Sequence, residues 1–91
     1  MNNQELLAKA LPEIARRFQN ELMIKAPVLT GRLQNSIRVK TTRKGLLITM
    51  VDYGIFVEFG TLKQRPNPFI RNTINDKLRN IIQEELIKAT L

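Results

Sequence analysis

Two runs of apolar residues at helical spacing, separated by a short segment that alternates, leave this chain few folds to choose from. Leu7, Leu11, Ile14, Phe18 and Leu22 recur every three or four residues and draw one stripe along a helix. That helix ends before Ala26-Pro27, because a residue that precedes proline is pushed out of helical conformation. Pro12 interrupts the stripe, so the main helix either begins near Leu11, with the proline in its first turn, or kinks there. The second run, Ile70, Ile74, Leu78, Ile81 and Glu85/Leu86, predicts a helix over about residues 68 to 88. Asn67 is its expected N-cap and Pro68 its first helical residue. The outer face, with Arg71, Asp76, Lys77, Arg79, Glu84 and Lys88, reads most simply as a solvated surface.

Between the helices, Ile37, Val39 and Thr41 fall on one side of an alternating segment and Ser36, Arg38, Lys40 and Thr42 on the other. Arg43-Lys44-Gly45 makes a turn in which Gly45 can take positive φ, and Leu46 to Asp52 returns as a second strand. Its two faces, Leu46/Ile48/Met50 and Leu47/Thr49/Val51, are both largely apolar, which predicts burial on both sides. The expected fold is therefore α+β: a long N-terminal helix, a central antiparallel β hairpin or small sheet over residues 36 to 52, a short helix, and a C-terminal helix packed on the sheet. Ninety-one residues make one domain, 1-91, with a thin core that subunit association would complete.

Charge and missing residue types narrow the function. With no Cys and no His, disulfides, zinc fingers, Cys nucleophiles and His-based triads are all removed. Fifteen Lys and Arg against eight Asp and Glu give a net charge of +7. Residues 32 to 71 hold eight of those cations against only Asp52 and Glu58, and so carry six of the seven net charges. A partner with a negative surface is expected. No apolar run approaches the roughly 18 residues that would span a bilayer, and Asn2, Asn3 and Glu5 do not begin a signal peptide, so no membrane contact is expected and the chain is expected to remain in the cell that makes it.

Three connecting segments carry residues that do backbone work. In Ala26-Pro27 to Ser36-Ile37, Pro27 stops the first helix, Thr30 can cap a short helical turn, Gly31 permits close approach, and Leu33 and Ile37 can pin the turn to the core. In Tyr53 to Thr61, Ile55, Phe56, Val57 and Phe59 crowd around the single carboxylate of Glu58, in a short amphipathic helix before Gly60. A carboxylate among aromatics can become an acid, but an arginine partner would make it a structural anchor, and with no second catalytic group beside it the anchor is the favoured reading. Asp52 is more simply a strand-end turn residue. In Leu62 to Arg71, two prolines stiffen a basic loop before Phe69 enters the core; its Lys63 and Arg65 could touch phosphates or a neighbouring subunit.

Taken in order, these segments resemble the small tail-component, or neck, family of long-tailed bacteriophages, the HK97-gp10-like proteins. Members typically show Ala-Pro, two variable residues, Thr-Gly, then Leu and Ser-Ile, matched by Ala26-Pro27, Thr30-Gly31, Leu33 and Ser36-Ile37. They next show a Tyr and an aliphatic-Glu-aromatic-Gly-Thr run, matched by Tyr53 and Val57-Glu58-Phe59-Gly60-Thr61. Pro-Phe-aliphatic at the start of a closing helix is matched by Pro68-Phe69-Ile70. Members often continue with Pro-Ala, where this chain has Arg71-Asn72.

The resemblance implies a virion structural protein of the neck or tail, present in the host cytoplasm during assembly. By that resemblance it would act in head–tail connection or tail completion as a homo-oligomeric ring, a hexamer or dodecamer, beside other neck, connector or tail proteins. Packaged double-stranded DNA would pass through it. The basic middle fits such a passage, since cations can hold duplex DNA without reading its sequence. The expected DNA-facing residues are among Arg38, Lys40, Arg43 and Lys44, with Lys63 and Arg65 as alternatives. No catalytic residue, metal or cofactor is expected. A free basic nucleic-acid-binding protein is the alternative, weakened because Phe18, Tyr53, Phe56, Phe59 and Phe69 are mostly needed for the core and leave no stacking platform. A small enzyme is least favoured, its only central carboxylate pair being Asp52 and Glu58.

Overall fold

The computed structural model describes residues 3–27, 31–43, 45–60 and 65–91. The fold is α+β. Helix α1 (Asn3–Lys25) is followed by the single turn α2 (Arg32–Ser36), the antiparallel strands β1 (Arg38–Thr42) and β2 (Gly45–Thr49), and the short helix α3 (Gly54–Phe59). A closing helical run then comprises α4 (Phe69–Thr73), a π-helical turn (Ile74–Leu78) and α5 (Arg79–Thr90).

The first helix neither starts at Leu11 nor breaks there: α1 runs unbroken through Pro12. Pro12 and Ala8, whose carbonyl loses its helical donor to the proline ring, both lie exposed, so water can replace the missing bond. On the opposite side Ile14, Phe18 and Leu22 are fully buried. Each of these side chains contributes roughly 1.5–3 kcal/mol of burial. Phe18 and Leu22 pack with Leu33, Ile37, Val39 and Phe69, while Ala10 and Ile14 meet Ile81 of α5. The closing helix lies along α1 and reaches the sheet through Leu46 and Leu78.

Asn67 is not the cap of the closing helix. Pro68 occupies that position, with no side-chain cap of its own, and the first amides are taken from elsewhere in the chain, as described below. The predicted stripe also changes phase. Across the π-helical turn the backbone is wound more widely, and Ile74 is turned outward, while Thr73 is fully buried and donates its hydroxyl to the Phe69 carbonyl at 2.6 Å. At the stripe's far end Glu85 is buried and bonded to Arg17 of α1 at 2.8 Å, and Glu84 meets the same guanidinium at 2.8 Å. The predicted outer face, Arg71, Asp76, Lys77, Arg79, Glu84 and Lys88, is exposed throughout; it is the inner stripe that ends on a charged seam with α1.

The hairpin is shorter than the predicted 36 to 52. Its register pairs Arg38 with Thr49, Val39 with Ile48, Lys40 with Leu47, Thr41 with Leu46 and Thr42 with Gly45. Gly45 sits at φ +136°, which allows the tight reversal. Leu47 and Thr49 are exposed, against the expectation that β2 is buried on both sides, because only the Leu46/Ile48 face meets the helices. Thr41 is exposed too, lying beyond the part of β1 where Val39 is buried.

Candidate functional site

The connector from α1 to β1 is built from polar side chains that replace missing backbone partners. Thr30 and Lys44, like Thr61 and Lys63, lie outside the described residues. Gly31 stands at the N-cap of α2 with φ +79°, a conformation that a side chain would strain. Leu33 and Ile37 are buried, and Pro27 is half-buried at the end of α1. Gln34 donates to the Met23 carbonyl at 2.7 Å and so ties α2 to α1. The Ser36 hydroxyl donates to the Leu33 carbonyl at 2.8 Å and accepts the Val51 N–H at 3.0 Å, joining the two ends of the hairpin. Gln19 of α1 accepts the Val39 N–H at 2.8 Å. The sequence pattern does not reveal the partners of Gln19, Gln34 or Ser36; a polar residue next to the buried stripe, such as Gln19 after Phe18, is the only signal.

Glu58 is the centre of the second segment. It is 2% exposed. Its Oε1 accepts the Ile70 N–H at 2.7 Å, and its Oε2 accepts the Arg71 N–H at 3.2 Å and the Arg71 Nε–H at 3.0 Å. A carboxylate from α3 thus caps the N-terminus of the closing helix, where amides lack intrahelical acceptors and the helix dipole favours negative charge. Asn67 donates its backbone N–H to the Val57 carbonyl at 2.8 Å, holding the returning chain against α3. Phe69 is buried immediately beyond.

Of the four apolar side chains expected around Glu58, Val57 packs against the core but the other three are turned to solvent. Ile55, Phe56 and Phe59 are 63%, 57% and 66% exposed. The physical reason is the short length of α3: turning Glu58 inward to cap a helix leaves the opposite face to Ile55, Phe56 and Phe59. Two of five aromatics expected mostly in the core are therefore at the surface, and Tyr53 is half-buried. The Arg71 guanidinium lies 5.5 Å from the Phe59 ring centre and the Arg32 guanidinium 5.8 Å from that of Tyr53. Gly54 is buried where a side chain would run into Met50 and lie 3.2 Å from Leu33 Cδ1. Asp52 holds the turn by accepting the Tyr53 N–H at 2.9 Å.

Arg38, Lys40 and Arg43 are all exposed on the hairpin, and Arg65 is exposed on the loop before the closing helix. Arg38 donates through Nη1 to the Asn35 and Ile37 carbonyls, both at 2.8 Å, which fixes it at the base of the hairpin. Among the described residues no group of three or more Asp and Glu could hold a metal ion.

Residues 2–60 match the family model described as "Bacteriophage HK97-gp10, putative tail-component". This chain belongs to that family. The matched residues take in α1, α2, the hairpin and α3, so the first resembling segment and the second as far as Gly60 fall within the HK97-gp10-like match. Pro68-Phe69-Ile70 and the rest of the closing helix lie beyond it. No curated protein and no solved structure matches the chain. A bacteriophage tail component has a structural role, and the buried, multiply bonded Glu58 is placed as a helix cap within that framework.

Proposed function

We propose that this tail component is a virion structural protein of the head–tail neck, where copies form a closed ring around the DNA passage and contact other neck, connector or tail proteins. The family match over residues 2–60 carries the reading. The surface supports it. A ring contact is heterologous and joins two different patches of the same subunit. One apolar patch centres on the exposed Phe56 of α3; Leu7, Ile87 and Leu91 are exposed where the start of α1 meets the end of α5. The Lys9 ammonium reaches the Ala89 carbonyl at 3.3 Å across that second end.

The hairpin would face the DNA. Its exposed Arg38, Lys40 and Arg43 stand on a hairpin without a single acidic residue, which suits phosphates bound for charge rather than sequence. Lys44, Lys63 and Arg65 extend the same basic belt in sequence. Replacing Arg38, Lys40, Arg43 and Lys44 by Gln tests this in a salt titration of duplex binding. The slope of log K against log salt is expected to fall by about 0.9 for each phosphate contact removed; an unchanged slope rejects the DNA-facing assignment.

A free nucleic-acid-binding protein is the second reading, favoured by the exposure of Phe56 and Phe59, on which bases could stack. Light scattering separates the two. A closed assembly in solution or on the virion supports the ring, whereas a monomer that binds single strands through Phe56 and Phe59 supports the alternative.

A further inference from the structure

One edge of β2 is paired with β1, and among the described residues the other is open. The Val39 N–H points to Gln19 of α1 and hence away from β2, so the facing Val39 and Ile48 form a non-hydrogen-bonded pair. Leu47 and Thr49 then exchange backbone bonds with β1, and the N–H and C=O groups of Leu46 and Ile48 face outward. Among the described residues, nothing meets them there. An unpaired row of this kind is a template for another strand.

The open edge adjoins a cleft of about 370 Å³ whose apolar lining includes Ile48, Met50, Ile55, Phe59 and Ile70 and whose wall also carries Asp52 and Glu58, so only apolar side chains suit the cleft itself. Ile55 and Phe59 are the exposed side chains of α3, so the apolar face of that helix and the unpaired strand border the same cleft. A strand laid along β2 would bond to Leu46 and Ile48 and drop alternate side chains into it.

Charge selects the occupant. Residues 38 to 49 carry Arg38, Lys40, Arg43 and Lys44 and no acid. Pairing β2 with the β2 of a second copy would bring two such hairpins into one sheet, and like charges there repel. On the outward face, the added strand would flank Leu47, which is half exposed, and Thr49, whose partner is Arg38. Strands lie about 4.8 Å apart, so a residue beside Thr49 is about 10 Å from the Arg38 backbone, near enough for a glutamate there to reach toward the guanidinium while Arg38 Nη1 keeps its bonds to the Asn35 and Ile37 carbonyls.

We propose that the β2 edge and its cleft receive an extended segment of another virion protein, apolar at alternate positions and acidic beside Thr49. This rests on the reading of the chain as a subunit completed by other virion proteins, but not on ring closure or DNA contact. Ring formation is judged from assembly size, and strand docking from peptide binding to the purified full chain, so either can fail alone.

The test is fluorescence anisotropy with a labelled synthetic peptide of alternating Val and Glu. Its counterparts carry Lys for Glu, or N-methyl groups on the amides that would face β2. The Glu peptide is expected to bind about tenfold or more tightly than the Lys peptide, to lose binding on N-methylation, and to slow hydrogen exchange at the Leu46 and Ile48 amides. Arg38→Glu is expected to reverse the preference, and Ile55→Glu, at an exposed position, to weaken binding of the Glu peptide. No binding at millimolar peptide, equal binding of the two charge variants, or indifference to N-methylation overturns the proposal. Protection of Leu46 and Ile48 that grows with protein concentration in the absence of peptide overturns it as well, in favour of a second copy.

Discussion

Glu58 shows how one side chain can fix two elements. It accepts three N–H donors, two of them backbone amides of the closing helix, from a position that is 2% exposed. Removing the charge while keeping the shape, as in Glu58→Gln, takes away charge-assisted bonds and sets an amide group against donors. The expected loss is about 1.5–3 kcal/mol, read as a lower urea midpoint with unchanged m-value. Arg71→Ala is expected to cost less, under about 1 kcal/mol, because that side chain is 56% exposed and the two backbone bonds to Glu58 survive. If Arg71→Ala proved the more damaging of the two, the cap would be secondary to the ion pair. The sequence marks Glu58 as a lone carboxylate among apolar residues that could take an arginine partner. It does not show that backbone amides twelve and thirteen positions later share the carboxylate, because a cap borrowed from another element has no fixed spacing.

At the scale of elements, long stripes were legible and phase was not. The periodicity of Ile14, Phe18 and Leu22 requires α1, and the alternation around Val39 requires β1, since each pattern offers only one buried face. The π-helical turn is invisible to a pattern built on ordinary helical spacing, and it exchanges Ile74 for Thr73 in the core. Helix α3 was legible as amphipathic, but with its polarity inverted by the cap that Glu58 makes. Because Ile55, Phe56 and Phe59 already face solvent, replacing all three by Gln is expected to change unfolding free energy by no more than about 0.5 kcal/mol per site while abolishing assembly. A large drop in stability would mean that these side chains hold the monomer together. The seam between α1 and α5 has its own signature. Arg17 holds the Glu85 carboxyl below its ordinary value of 4.5, with Lys88 adding to the effect. A carboxyl with a lowered folded value adds stability above the ordinary range and loses it as pH falls through the folded value. The deficit of Glu85→Gln in urea unfolding is therefore expected to be full at neutral pH and to vanish in acid. A deficit that stays unchanged as the carboxyl is titrated to its acid form would assign it to packing instead of charge.

The whole molecule is long and thin, 51 by 21 by 20 Å. Two helices laid side by side with a hairpin at their flank give a core one layer deep, and apolar side chains remain outside at both ends. A small domain with so little interior gains most from neighbours. Net charge of +7 opposes self-association in free solution, so assembly is expected to be strongest where DNA or acidic partners offset that charge. The measurement closest to the central claim is a cryo-electron-microscopy map of the head–tail junction in intact phage particles carrying this chain. The expected map shows a closed ring into which α1, the hairpin and the closing helix fit, with Arg38, Lys40 and Arg43 turned toward the DNA-filled lumen. Infectious particles whose junction contains no copy of the chain would contradict it.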